Sequence, residues 1–139
     1  MFRYAAKLLK KPDQCRMVTL CSHLFWAGKA TDAKHYHDPR RVLECLQRSL
    51  KIADVCMSSS MHVHLFVEIL NQYLFYFESD NAVITEKYIS GLIALINEHL
   101  ENMEVRGTHV DSWLLRTVCF RILYVAHHLV NSKGVGAAV

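Results

Sequence analysis

An all-α fold, a HEAT-like α-solenoid fragment of about five to six antiparallel helices, is predicted by three features of the chain. Apolar residues recur three or four positions apart through every long segment, the pattern of helices with a buried stripe. Both prolines, Pro12 and Pro39, stand beside an aspartate where a helix is expected to begin. Expected helix starts near 12 and 61, and near 39 and 84, lie about 49 and 45 residues apart, close to the period of HEAT or armadillo arrays. In such arrays each unit covers its neighbours' apolar faces, and a cut end exposes a patch.

The first helix is expected to run through Ala5, Ala6, Leu8 and Leu9 and to stop near Lys10 or Lys11. Pro12 lacks an amide donor and clashes with a preceding helical turn. It suits the first turn of a new helix, where Asp13 sits on the positive end of the helix dipole. Val18, Cys21 and Phe25 then fall on one face, flanked by Met17 and Leu24, until Gly28 ends the run. The two helices form a hairpin with a very short connection. Nothing before Phe2 caps the first helix, which reads as the tail end of a helix whose beginning is missing.

The polar connection Ala27 to Asp38 is expected to be mobile. Asp38 and Pro39 open the next helix, with Val42, Leu43, Leu46, Leu50, Ala53 and Met57 inward and SSS at 58–60 closing it. A helix over about 61–78 is apolar on most sides and therefore needs covering on most sides. After a turn at Asp80 and Asn81, Ile89, Leu92, Ile93, Ile96 and Leu100 stripe a helix of about 85–103, with Thr85 as a plausible cap. Gly107 breaks the chain, and Thr108 with Asp111 resembles a capping box. A last helix over about 109–131 should end at Ser132-Lys133-Gly134 and leave VGAAV as a loose tail.

The chain is 52% hydrophobic and 21% charged, which fits a packed domain rather than disorder. Its formal charge of +3 is unevenly spread, with eleven Lys or Arg against six Asp or Glu in residues 1–70. That basic first half raises one alternative, a helical module binding nucleic acid or anionic lipid. No aromatic-and-glycine nucleic-acid motif accompanies it. Cys15, Cys21, Cys45, Cys56 and Cys119 are an odd set inside helical patterns, which favours reduced, buried thiols. Arg116 and Arg121 interrupt the most apolar late stretch, so no membrane-spanning helix is expected.

Catalytic and metal patterns are weak. His62 and His64 are two residues apart and so point to different sides of a helix, and His35 with His37 has no partner set to complete four ligands. Cys21 and His23 likewise fall on different faces, with no oxyanion-binding loop nearby. No cofactor is expected. Candidate protein-contact residues are Lys10, Lys11 and Arg16 around the hairpin turn and the aromatic Trp26, Tyr73 and Tyr76. Aromatic and arginine side chains carry much of the energy of interfaces; the competing reading is a solvated basic turn and inter-repeat core.

KLLKKPDQCR (Lys7 to Arg16) and CSHLFWAG (Cys21 to Gly28) closely resemble the C-terminal part of the vacuolar protein sorting-associated protein 35 family, the large α-solenoid subunits of retromer. The similarity continues through RVLECLQRSLKIADVCM (Arg41 to Met57) and LFVEILNQYLFYFE (Leu65 to Glu78), and thins to a pattern from Asn81 to Met103. In that family Phe2 would lie deep inside the solenoid, so the resemblance implies a fragment with Met1 as an artificial or alternative start, and residues 1–103 read as the family's C-terminal helical segment. Residues 104–139 are more apolar than the polar, arginine-rich ending of the family and read as a divergent last helix and tail. The resemblance implies a non-enzymatic scaffold of the retromer cargo-recognition complex, cytoplasmic and peripheral on endosomal membranes through that complex. It implies as partners the small metallophosphoesterase-fold subunit, vacuolar protein sorting-associated protein 29, the other retromer subunits, and a second copy at the C-terminal end. A truncated product unable to assemble is a further alternative.

Overall fold

A computed structural model describes residues 2–5, 7–28, 36–56, 59–105 and 112–136. Within them the chain forms α1 (Phe2–Ala5), α2 (Lys11–Cys21), a 3-10 turn (Ser22–Phe25), β1 (Trp26–Ala27), β2 (Tyr36–His37), α3 (Pro39–Asp54), α4 (Ser59–Glu78), α5 (Glu86–Val105) and α6 (Ser112–Gly136). The all-α class holds. The two short strands are an addition to it, pairing antiparallel with Trp26 opposite His37 and Ala27 opposite Tyr36.

Side-chain contacts fix the directions of the helices. Cys15 on α2 meets Ser49 on α3, while Cys45 lies near Cys21, so α2 and α3 run antiparallel. His62 and Phe66 meet His99, and Tyr73 meets Tyr88, so α4 and α5 do too. By contrast, Arg16 pairs with Glu68 and Ser22 with Tyr76, which makes α2 and α4 parallel. The contacts His64 with Trp113 and Glu78 with Tyr124 make α6 parallel to α4 as well. One layer therefore holds α2, α4 and α6, the other α3 and α5. This is the arrangement of stacked helical hairpins, in which each pair packs chiefly on the next.

Local chemistry explains the elements and corrects several expected boundaries. The first helix ends at Ala5, well before Lys10, because Lys10 is extended (φ −89°, ψ 125°) ahead of α2 and the chain reverses direction there. Leu8 and Leu9 are consequently exposed. Asp38 caps α3 as expected, its Oδ1 accepting from the Arg41 amide at 3.2 Å. That helix ends at Asp54, and Ser59 and Ser60 open α4 instead of closing α3. Met57 and the Thr108–Asp111 pair lie outside the described residues. The last helix continues to Gly136, past the expected stop at Ser132.

The turn after α4 is a Schellman ending. The Asn81 amide donates to the Tyr76 carbonyl (3.0 Å) and the Asp80 amide to that of Phe77 (3.3 Å), while Asp80 takes φ 61°. Aspartate tolerates this left-handed position better than most residues with a β-carbon. Asn81 then accepts from the Val83 amide at 3.1 Å and turns the chain into α5.

The core centres on α4, as the apolar character of that helix on most sides requires. Val63, Leu65, Phe66, Val67, Ile69, Leu70, Tyr73, Leu74 and Tyr76 are all buried, with Val42 and Leu46 from α3 and Ile89 and Ile96 from α5. A smaller cluster of Ala5, Val18 and Cys21 holds α1 against α2.

Candidate functional site

Between α2 and α4 a polar seam runs from the surface into the core. At its outer end Arg16 Nε lies 3.0 Å from Glu68 Oε2 and Nη2 lies 3.0 Å from Oε1, a two-pronged ion pair. The Glu68 carboxylate raises the Arg16 pKa further above its ordinary value. Both side chains remain nearly half exposed, so the pair sets register more than it adds stability. Deeper in, the Thr19 hydroxyl is 2.9 Å from that of Ser49, and the Ser22 hydroxyl donates to the Thr19 carbonyl. The Tyr76 hydroxyl sits 2.8 Å from Ser22. Buried hydroxyls are thus satisfied in a chain linking α2, α3 and α4.

Above this seam lies a groove of about 310 Å³ lined by Arg16, Thr19, Leu20, Glu68, Asn71 and Gln72. Asn71 Oδ1 and Gln72 Oε1 are sealed from solvent and find no donor among the described residues. Beside the groove stand large apolar side chains in the open. Leu20 is 55% exposed, Leu24 51% and Phe75 47%, with Met17 also exposed on α2. His23 lies against Phe75 (ring centroids 5.6 Å) and joins the two helices' apolar residues into one strip.

The opposite layer differs. On α3 the exposed residues are Arg40, Arg41, Glu44, Gln47, Arg48, Lys51 and Asp54, a charged and wet surface. A groove of about 630 Å³ opens between α3 and α5, floored by Leu50, Tyr73 and Leu92 and rimmed by Lys87 and Tyr88. Interface centres are depleted of charged residues and enriched in aromatic and apolar ones, which distinguishes the α2–α4 strip from the α3 surface.

The six residues named from sequence fall into four groups. Lys10 and Lys11 are exposed at the α1–α2 turn, Lys11 Nζ donating to Gln14 Oε1 at 3.1 Å. Arg16 faces Glu68 at the groove. Trp26 is half-buried in β1, where it stacks on His37 with ring centroids 3.9 Å apart and meets Tyr76 edge-on at 5.9 Å. Tyr73 and Tyr76 belong to the core, which corrects their placement as surface anchors. Burial also pushes both phenols up from their ordinary pKa. They are candidates on their aromatic character alone, and on a helix apolar nearly all round that character does not separate an interface ring from one of the inter-repeat core. The residues that sequence reading passed over, Leu20 and Phe75, are the ones that leave the buried stripes of their helices.

Histidine and cysteine chemistry separates as the spacing suggested. His62 bonds the Cys56 carbonyl and packs on His99, whereas His64 stacks on Trp113. Among the described residues no group of three or more His, Cys, Asp or Glu converges on one point. Cys21 is buried with Val18, while His23 lies on the Phe75 and Tyr76 rings. Burial raises the Cys15 thiol to about 12 and the Cys45 thiol to about 11, so neither is a ready nucleophile. Cys119 departs from the expected pattern of buried thiols and is exposed on α6. Among the described residues no helix is long and apolar enough to cross a membrane.

A family model described as vacuolar protein sorting-associated protein 35 matches residues 1–99. A protein of that name from Schizosaccharomyces pombe is 48% identical over 101 residues, covering 72% of this chain and 12% of the relative. Vacuolar protein sorting-associated protein 35B of Arabidopsis thaliana is 45% identical over 123 residues, 83% of this chain and 15% of the relative. A Dictyostelium discoideum protein of the same name is 34% identical over 108 residues, 78% and 12%. The chain therefore spans only 12% to 15% of the length of these curated relatives.

Proposed function

The chain belongs to the vacuolar protein sorting-associated protein 35 family, and from that premise we propose that it is a non-enzymatic scaffold piece of retromer acting in vacuolar protein sorting. Its proposed place is the cytoplasmic side of endosomes, held there peripherally through the complex. The proposed partner is the small metallophosphoesterase-fold subunit, vacuolar protein sorting-associated protein 29, with residues 1–103 as the segment that meets it and residues 104–139 as a separate ending. The face we assign to that contact is the α2–α4 strip. One observation carries the assignment: Leu20, Leu24 and Phe75 stand exposed beside the groove lined by Arg16, Glu68, Asn71 and Gln72. An interface that covers those apolar side chains gains the free energy of removing them from water.

Co-purification of this chain with the small subunit at moderate salt tests the reading. Stoichiometric capture that persists at 0.3 M salt, roughly halving the Debye length from its value near 0.1 M, supports a specific protein interface. Binding that vanishes there would favour the basic-module alternative instead. Leu20→Asp with Phe75→Asp should abolish capture, while Arg40→Ala with Lys51→Ala on the α3 surface should leave it unchanged.

A further inference from the structure

The last helix carries a second face that the α2–α4 site does not use. Val118, Ile122 and Val125 turn α6 toward α4 and the core. On the other side Phe120 is 75% exposed and Leu123 68%, and at the edge Trp113, whose ring stacks on His64 of α4, is still 62% exposed. At helical spacing these residues lie within about 60° of Phe120 around the axis, together with Arg116 between them. Arg121 and Tyr124 edge the same face, and a shallow depression of about 470 Å³ lies among them.

The charge of α6 is as one-sided as its exposure. Ser112 to Gly136 contains Arg116, Arg121 and Lys133 and no aspartate or glutamate, in a chain that has 13 acidic residues elsewhere. The carboxylate that approaches it, Glu78 of α4, is already engaged at 2.7 Å by the Tyr124 hydroxyl and at 3.8 Å by His128. A face that combines an exposed Trp, Phe and Leu with arginines and lacks carboxylates matches helices that lie in the plane of a bilayer surface, rings at the headgroup level and cations on the phosphates. A second copy of the chain fits less well, since two α6 faces brought together set arginine against arginine with no acidic side chain in the helix to offset them.

From this exposure and charge we infer that the outer face of α6 docks directly on an anionic lipid bilayer. It lies flat there, with Trp113, Phe120 and Leu123 in the headgroup region and Arg116 and Arg121 on the phosphates. This contact is independent of the α2–α4 face and of the partner proposed for it.

Sedimentation of the full chain with vesicles of phosphatidylcholine alone, or with about 30% phosphatidylserine, tests the inference. The chain should pellet with the anionic vesicles at 0.1 M salt and stay in solution with the neutral ones. Arg116→Gln with Arg121→Gln should weaken anionic binding about thirtyfold, from the usual contribution of a cation near such a surface. Phe120→Ser with Leu123→Ser should weaken it at least tenfold, with helicity by circular dichroism unchanged. Independently of any variant, brominated phosphatidylserine-containing vesicles should quench the tryptophan emission of the unmodified chain. Three results would overturn the inference: equal binding to neutral vesicles, no binding and no quenching with anionic ones, or a dimer in solution that the Phe120 and Leu123 changes dissociate.

Discussion

The two seams that α4 makes with its parallel neighbours are built from different materials. Toward α2 it offers a surface ion pair, Arg16 with Glu68, then the buried Ser22–Tyr76 contact and a run of packed side chains. Toward α6 it offers ring contacts and one shared carboxylate at the surface, His64 on Trp113 and Glu78 under Tyr124 and His128. The first seam couples its helices through desolvated groups that have no good alternative partner. The second rests on the apolar Val118, Ile122 and Val125 of α6, and its polar groups are exposed ones that water can replace at little cost. The matched part of the chain thus carries the buried polar contacts of the array, while its last helix is held by apolar packing and leaves Phe120 and Leu123 exposed.

The sharpest way to break that contrast is to truncate one aromatic at each seam. Tyr76→Ala should destabilise the fold by about 3–5 kcal/mol in urea unfolding, as for other large buried rings. Trp113→Ala should cost about 1 kcal/mol or less, because most of that ring is already in water. Comparable losses would erase the distinction between the seams.

A finer cut removes a single buried hydroxyl. Ser22→Ala strands the Tyr76 hydroxyl and should cost about 1–3 kcal/mol, and adding Tyr76→Phe should recover part of it, since a matched apolar pair leaves no orphan. Arg16→Ala stands at the small end, about 1 kcal/mol or less and smaller still in high salt.

Alkaline pH sharpens the same comparison. The folded Cys15 thiol is raised by burial from 9.0 to about 12, so the folded state holds its proton where the unfolded chain has lost it. Stability should be flat below about pH 9 and fall as pH climbs from there toward 12, with Cys45, raised to about 11, adding to the slope. At pH 8 a thiol reagent should label Cys119 on α6 at once and Cys15 only at the rate of unfolding.

Most of the helical architecture was legible in the sequence because each device is local. Asp38 with Pro39 marks a start that the structure places at Pro39. The all-round apolarity of α4 announces a central helix, and the expected period matches starts at Lys11 and Ser59 and at Pro39 and Glu86. What escaped depends on neighbours rather than on spacing. Leu8 and Leu9 look like helix interior until the chain has to turn before Pro12. Trp26 looks like a helix end until His37 returns to stack on it. Tyr76 looks like an anchor until Ser22, fifty-four positions back, takes its hydroxyl. The candidate contact face was the least legible, since Leu20 and Phe75 differ from core residues only in which side of their helix no neighbour covers.

The account rests most heavily on the α2–α4 strip being the partner face, and a calorimetric titration reads this most directly. The full chain and its Leu20→Asp, Phe75→Asp double variant would be titrated with the small retromer subunit at the same salt. Two apolar side chains at the centre of an interface should make the variant's Kd at least a hundredfold weaker, about 2.7 kcal/mol, with its helicity unchanged. Equal affinity for both chains would place the contact elsewhere and contradict the account.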